Sequence, residues 1–133
     1  MLTGIGQISI LVRDGDRAAM WYKDKLGFEI VGKEEHAVFV RPKGTTYPLI
    51  HLCEGPEAWA GDKPGGRAGV WLACGEITFR KGSPIPSSDP AEVERTFHEL
   101  KAKGVEFSEE LHVESWGTFA VFRDLDGNEF EIS

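Results

Sequence analysis

The sequence predicts an α+β fold in which one small unit is used twice. Three observations predict it. The first is a repeat. Asp14, a run of helix formers, Leu26-Gly27-Phe28-Glu29, Ala37-Val38-Phe39-Val40-Arg41 and Leu49-Ile50-His51-Leu52 are answered by Asp89, a second helical run, Gly104-Val105-Glu106-Phe107, Ala120-Val121-Phe122-Arg123 and Glu129-Phe130-Glu131-Ile132. The second is apolar alternation of period two, the mark of a half-buried strand, on either side of each helical run. The third is that each helical run opens on an aspartate that can cap it and closes on a glycine.

The elements follow in order. Ile8, Ile10 and Val12 alternate with Gln7, Ser9 and Leu11 and predict a first strand. Asp14 caps a helix over about 16–25, whose core side is Ala18, Ala19, Trp21, Tyr22 and Leu26, and Gly27 ends it. Strands are expected at Phe28 to Gly32, His36 to Arg41 and Tyr47 to Cys53. Glu54 to Ala68 is rich in glycine and proline and reads as the connection between the halves. The second half opens with Val70-Trp71-Leu72-Ala73-Cys74. Gly75 to Ser88 has no counterpart in the first half and holds a short candidate strand, Ile77-Thr78-Phe79. Asp89-Pro90-Ala91-Glu92 is a helix start: a capping aspartate, proline at the first helical position and an acid in the first turn. Val93, Phe97 and Leu100 give that helix its core side. Three strands follow, at Glu106 to Glu109, Thr118 to Arg123 and Glu129 to Ser133, the last two joined by Asp126-Gly127-Asn128.

Composition narrows the function. At 133 residues the chain is one domain's worth, and a net charge of −7 lacks the basic face that nucleic acid demands. The same charge disfavours an anionic membrane surface, and no apolar run nears the roughly 20 residues of a membrane span. The first residues show no charged, then apolar, leader. Two cysteines make no disulfide framework, so a reducing cytoplasm is expected.

The opening Gln7-Ile8-Ser9-Ile10-Leu11-Val12-Arg13-Asp14, with Trp21-Tyr22 and Leu26-Gly27-Phe28, resembles the first module of the vicinal oxygen chelate superfamily. These are the glyoxalases, extradiol dioxygenases, epimerases and bleomycin- and fosfomycin-resistance proteins. Phe122-Arg123-Asp124-Leu125-Asp126-Gly127-Asn128-Glu129-Phe130-Glu131 resembles its last hairpin, with Leu125 where proline is usual. The resemblance implies two βαβββ modules, at 4–53 and 69–133, pairing as half-barrels around a central cavity. It further implies a divalent metal (Ni, Zn, Mn, Fe or Co) held from the first and fourth strands of each module.

Carried onto this sequence, those positions are Gln7, His51, Val70 and Glu131. Valine has no donor, so the expected metal ligands are Gln7, His51 and Glu131, with positions left open for a substrate's oxygens. If the strand register near Val70 is shifted, Glu76 takes its place. Glu131 is also the expected catalytic acid–base group. Extradiol dioxygenase fits less well, because histidine is absent from both first-strand positions.

Each residue also has a plainer role. His51 between Ile50 and Leu52 can be a core histidine, and Gln7 a polar residue near a sheet edge. Glu131 between Phe130 and Ile132 must face a cavity, a metal or solvent, since burying a lone carboxylate is costly. Cys53 shares the strand parity of His51, and with Val70, Trp71 and Trp116 it makes up the expected substrate pocket; Trp59, like Trp71 and Trp116, falls in or near the expected loops and pocket walls. His112 and Glu114 precede Trp116-Gly117 in a stretch read as a loop over that pocket, and His98 is read as a solvated helix residue.

Two functions compete. One is a metal-dependent lyase or isomerase, of lactoylglutathione-lyase type, acting on a small molecule with vicinal oxygens. The other is a metal-free protein that binds a small molecule, such as an antibiotic, in an aromatic cleft. In either case a homodimer is expected.

Overall fold

The computed structural model describes residues 1–54, 64–79, 82 and 84–133. The chain divides into two units, one of residues 1–66 with 124–128, the other of 67–123 with 129–133.

The first unit holds β1 (Gln7–Leu11), α1 (Gly15–Leu26), β2 (Glu29–Glu34), β3 (Ala37–Arg41) and β4 (Leu49–Cys53). Its sheet has the order β1-β4-β3-β2. β1 and β4 run parallel, with Ser9 opposite His51, and β3 runs antiparallel to β4, with Phe39 opposite the same histidine. α1 begins where Asp14 accepts a hydrogen bond from the Arg17 amide. It stops at Gly27, whose φ of 70° is left-handed and cheap only without a Cβ. Ala18, Ala19 and Tyr22 of α1 are buried with Val40 and Leu52 of the sheet.

The second unit repeats the plan. β5 (Gly66–Leu72) is followed by the short hairpin β6 (Thr78–Phe79) and β7 (Pro86–Ser87), then α2 (Pro90–Ala102), β8 (Glu106–Glu114), β9 (Gly117–Arg123) and β10 (Asn128–Ile132). The sheet order is β5-β10-β9-β8, matching the first sheet strand for strand. The architecture is therefore α+β, two βαβββ modules with a hairpin inserted in the second. α2 is buried through Val93, Phe97 and Leu100. Phe97 meets Phe107 edge-on at 4.7 Å, Phe107 lies 6.1 Å from Phe122, and Phe122 stacks on Phe130 at 5.6 Å. Burying such a ring stabilises the fold by about 1.5–3 kcal/mol. The row links helix and three strands.

Three expectations are corrected. β5 begins at Gly66, inside the stretch read as the connection, and it includes Val70, so the register does not shift to Glu76. Glu76 is exposed in a bend beyond the strand. β8 continues to Glu114, so His112 and Glu114 are strand residues and only 115–116 form the turn before β9. The longer strand comes from alternation that breaks at two register shifts against β9, which hides its period-two signature. Most of the connection, including Trp59, lies outside the described residues.

Candidate functional site

In the first module the parallel pairing of β1 and β4 gathers a small polar group. Ser9 Oγ and His51 Nδ1 share a hydrogen bond of 3.0 Å, and Gln7 Nε2 lies 3.5 Å from the same nitrogen. The imidazole lies flat on Phe39, with centroids 4.9 Å apart and 12° between planes. Gln7 is exposed and His51 half-buried. Two expected ligands, Gln7 and His51, are thus brought together. Ser9 is the partner that sequence reading missed. Its signal was the two-residue spacing from Gln7, which places both on one face of β1. Cys53 is buried at the end of β4, its thiol 3.8 Å from the Glu54 carbonyl oxygen.

The two tautomers of His51 make different sites. If Nδ1 accepts from the Gln7 amide, the proton sits on Nε2 and the ring presents a donor. If Nδ1 donates to Ser9, Nε2 presents a lone pair, the arrangement of a metal-bound histidine oriented by a partner.

In the second module a cavity of about 480 Å³ is lined by Trp71, Trp116, Ile85, Pro86, Ser88 and Glu131, among others. Its wall is mainly apolar, and its volume is that of a small-molecule site. Trp71 comes from β5. Trp116 sits in the β8–β9 turn, where its indole stacks on Phe119 at 5.1 Å, and Phe119 stacks in turn on His112 at 4.9 Å. The ladder holds Trp116 in place although 57% of it is exposed. The inserted hairpin supplies Ile85 and Pro86. The Ser88 hydroxyl accepts from the Cys74 amide at 2.9 Å and donates to the Ser133 carbonyl at 2.7 Å, which pins the two ends of the insert.

The indole N–H of Trp71 is buried and has no hydrogen-bond partner among the described residues. A buried donor left unpaired costs about 1–3 kcal/mol, so such a group calls for an acceptor.

A smaller cavity of about 220 Å³ adjoins the first, sharing Trp71 and Glu131 and adding Arg67, Val70, Val121 and Glu129. Glu129 and Glu131 lie on one face of β10. Glu129 is engaged by the Ser108 hydroxyl at 2.7 Å, and Arg67 is paired with Glu109 at 3.6 Å. The half-buried Glu131 carboxylate has no hydrogen bond or ion pair among the described residues. Val70, Trp71 and Trp116 line cavities of the second module. Among the described residues, no three His, Cys, Asp or Glu side chains are grouped to hold a metal ion. Gln7 is of another type, and the set Gln7, His51 and Glu131 falls outside that statement.

Residues 4–132 match the family described as Glyoxalase/Bleomycin resistance protein/Dioxygenase superfamily. The chain is 29% identical to the uncharacterized protein YetH of Bacillus subtilis (strain 168), over 98% of this chain and 97% of that one. Among solved structures it resembles a member of the same superfamily from Sphaerobacter thermophilus DSM 20745, with 25% identity, a TM-score of 0.76 and coverage of 98% and 96%. It also resembles TnmS3, an antibiotic binding protein from Streptomyces sp. CB03234, with a TM-score of 0.71 and coverage of 99% and 95%. At 22% identity that second likeness is of fold alone.

Proposed function

The chain belongs to the glyoxalase/bleomycin resistance protein/dioxygenase superfamily, and from that premise we propose that it binds a small, flat, largely apolar molecule in the cavity lined by Trp71 and Trp116. The observation that carries this reading is the cavity itself: about 480 Å³ with two indoles in its wall, complete within one module. Flat rings suit indole walls because offset stacking adds about 0.5–1.5 kcal/mol beyond area burial. A carbonyl or hydroxyl oxygen on the ligand is the acceptor that the Trp71 N–H lacks. An antibiotic is one ligand of this kind. The protein acts by holding its ligand, as a homodimer in a reducing cytoplasm.

Acridine, a neutral planar ring, is the probe for this reading. It should bind saturably in equilibrium dialysis, and Trp116→Ala should weaken it about tenfold. Saturable binding that Trp71→Ala and Trp116→Ala both leave unchanged would rule the cavity out.

A second reading rests on the His51 group. Gln7, His51 and Glu131 offer oxygen and nitrogen donors that borderline divalent cations accept, so the chemistry of the set fits a metal such as Ni, Zn, Mn, Fe or Co. Bound there, the metal would act as a Lewis acid toward vicinal oxygens of a substrate. Ser9 would orient the imidazole by accepting from Nδ1, and Glu131 would take up or return a proton. This reading predicts that His51→Ala lowers metal content and lyase or isomerase activity together. Metal analysis of protein purified without chelator decides between the two.

A further inference from the structure

We infer that the ligand is a planar cation, and that its protonated amine is read by Glu131 where the two cavities of the second module meet. The inference rests on the aromatic cavity proposed above and adds the charge of what enters it. Three observations carry it. Glu131 lines both the indole-walled cavity and its polar neighbour. It is the carboxylate there that nothing in the protein engages among the described residues, whereas Glu129 is held by Ser108 and Arg67 is paired with Glu109. The local balance around the smaller cavity is Glu109, Glu129 and Glu131 against Arg67, which leaves an excess of negative charge. The whole chain leans the same way, at −7.

An unpaired carboxylate on a partly desolvated apolar wall costs free energy that an ammonium can recover, and the surrounding low dielectric strengthens that pair. A flat ring between the indoles with an amine at one edge would meet both demands. The indoles would also attract the cationic ring through their faces. An anionic ligand would meet Glu131 at contact distance and be rejected. The single arginine in the polar cavity, Arg67, is paired with Glu109, so the net charge of the group stays negative.

The test uses three probes with one ring system: acridine, which is neutral near pH 7.5, 9-aminoacridine, which is cationic, and acridine-9-carboxylate, which is anionic. Isothermal calorimetry on the full chain at low salt should show 9-aminoacridine binding about tenfold tighter than acridine, with the carboxylate weakest. Glu131→Gln should abolish that preference, so that the variant binds 9-aminoacridine and acridine equally. Glu129→Gln should reduce it less, and raised salt should shrink it. Equal binding of the neutral and cationic rings, or a preference that survives Glu131→Gln, would overturn the inference and leave the aromatic cavity standing. Binding of none of the three would overturn the cavity reading, and this inference with it.

Discussion

Tyr22 is a phenol with no exposure to water. Its hydroxyl donates to Asp124 Oδ2 at 2.6 Å, and Asp124 also accepts from the Asn128 amide side chain and from the backbone amides of Asp126 and Asn128. Asn128 in turn donates to the Leu11 carbonyl at 3.0 Å. Burial, then the neighbouring Asp124 charge, pushes the phenol well above its ordinary value of 10.0. The sign follows directly. Below that ordinary value both folded and unfolded chains keep the proton, and stability does not depend on it. Above it the unfolded chain releases the proton and the folded chain does not, so stability falls as pH rises. Asp124, raised above 3.8 by burial, acts in the same sense in the acid range: stability declines as pH rises from 3.8 toward its raised value. Urea unfolding should therefore show a steep loss of stability above about pH 10. Tyr22→Phe should remove part of that slope and cost about 1–3 kcal/mol at neutral pH, because Asp124 loses a donor while buried. An unchanged alkaline slope in that variant would refute the assignment. The tautomer of His51 is a second residue-level question, and nitrogen-15 spectra answer it: a protonated Nε2 in the ligand-free protein is expected from the Gln7 contact.

At the scale of elements, the helices carry their own start signals. Asp14 accepts from the Arg17 amide, Glu54 accepts from the Gly15 amide at 2.6 Å, and Asp89 accepts from the Ala91 amide at 2.9 Å. These bonds satisfy donors that every helix leaves open at its first turn. The ends of the inserted segment are joined through Ser88. Ser88→Ala should leave a buried amide and a carbonyl unpaired, cost about 1–3 kcal/mol and lower the melting temperature by several degrees. Because Ile85 and Pro86 lie between that anchor and the tip, the same variant should weaken acridine binding. Loss of stability with affinity intact would mean that the hairpin is not part of the binding wall.

At the scale of the molecule, charge and size restrict what the protein meets. No helix among the described residues is long and apolar enough to cross a membrane. A homodimer belongs to the proposed reading, and light scattering at micromolar concentration should give twice the chain's 14.7 kDa. A monomer would require each chain to bind its ligand alone, which the cavity within the second module permits.

The sequence by itself determined the repeated unit, because capping aspartates, closing glycines and period-two alternation are local and appear twice. The resemblance carried by its opening and closing motifs also put Gln7 and His51 in one expected site and left Val70 without a donor. The tertiary structure alone decided three things. Ser9 became the partner of His51 through parallel pairing across 42 residues, a relation no local pattern encodes. The Tyr22–Asp124–Asn128 network joins groups about 100 positions apart and exists only once the 124–128 turn lies with the first unit. The shape of the cavity depends on an inserted hairpin, which supplies Ile85 and Pro86 and has no counterpart in the repeat. Of its two strands, Thr78–Phe79 lies in the expected candidate strand, whereas the two-residue Pro86–Ser87 is too short for periodicity to reveal and is defined by its pairing with Thr78–Phe79.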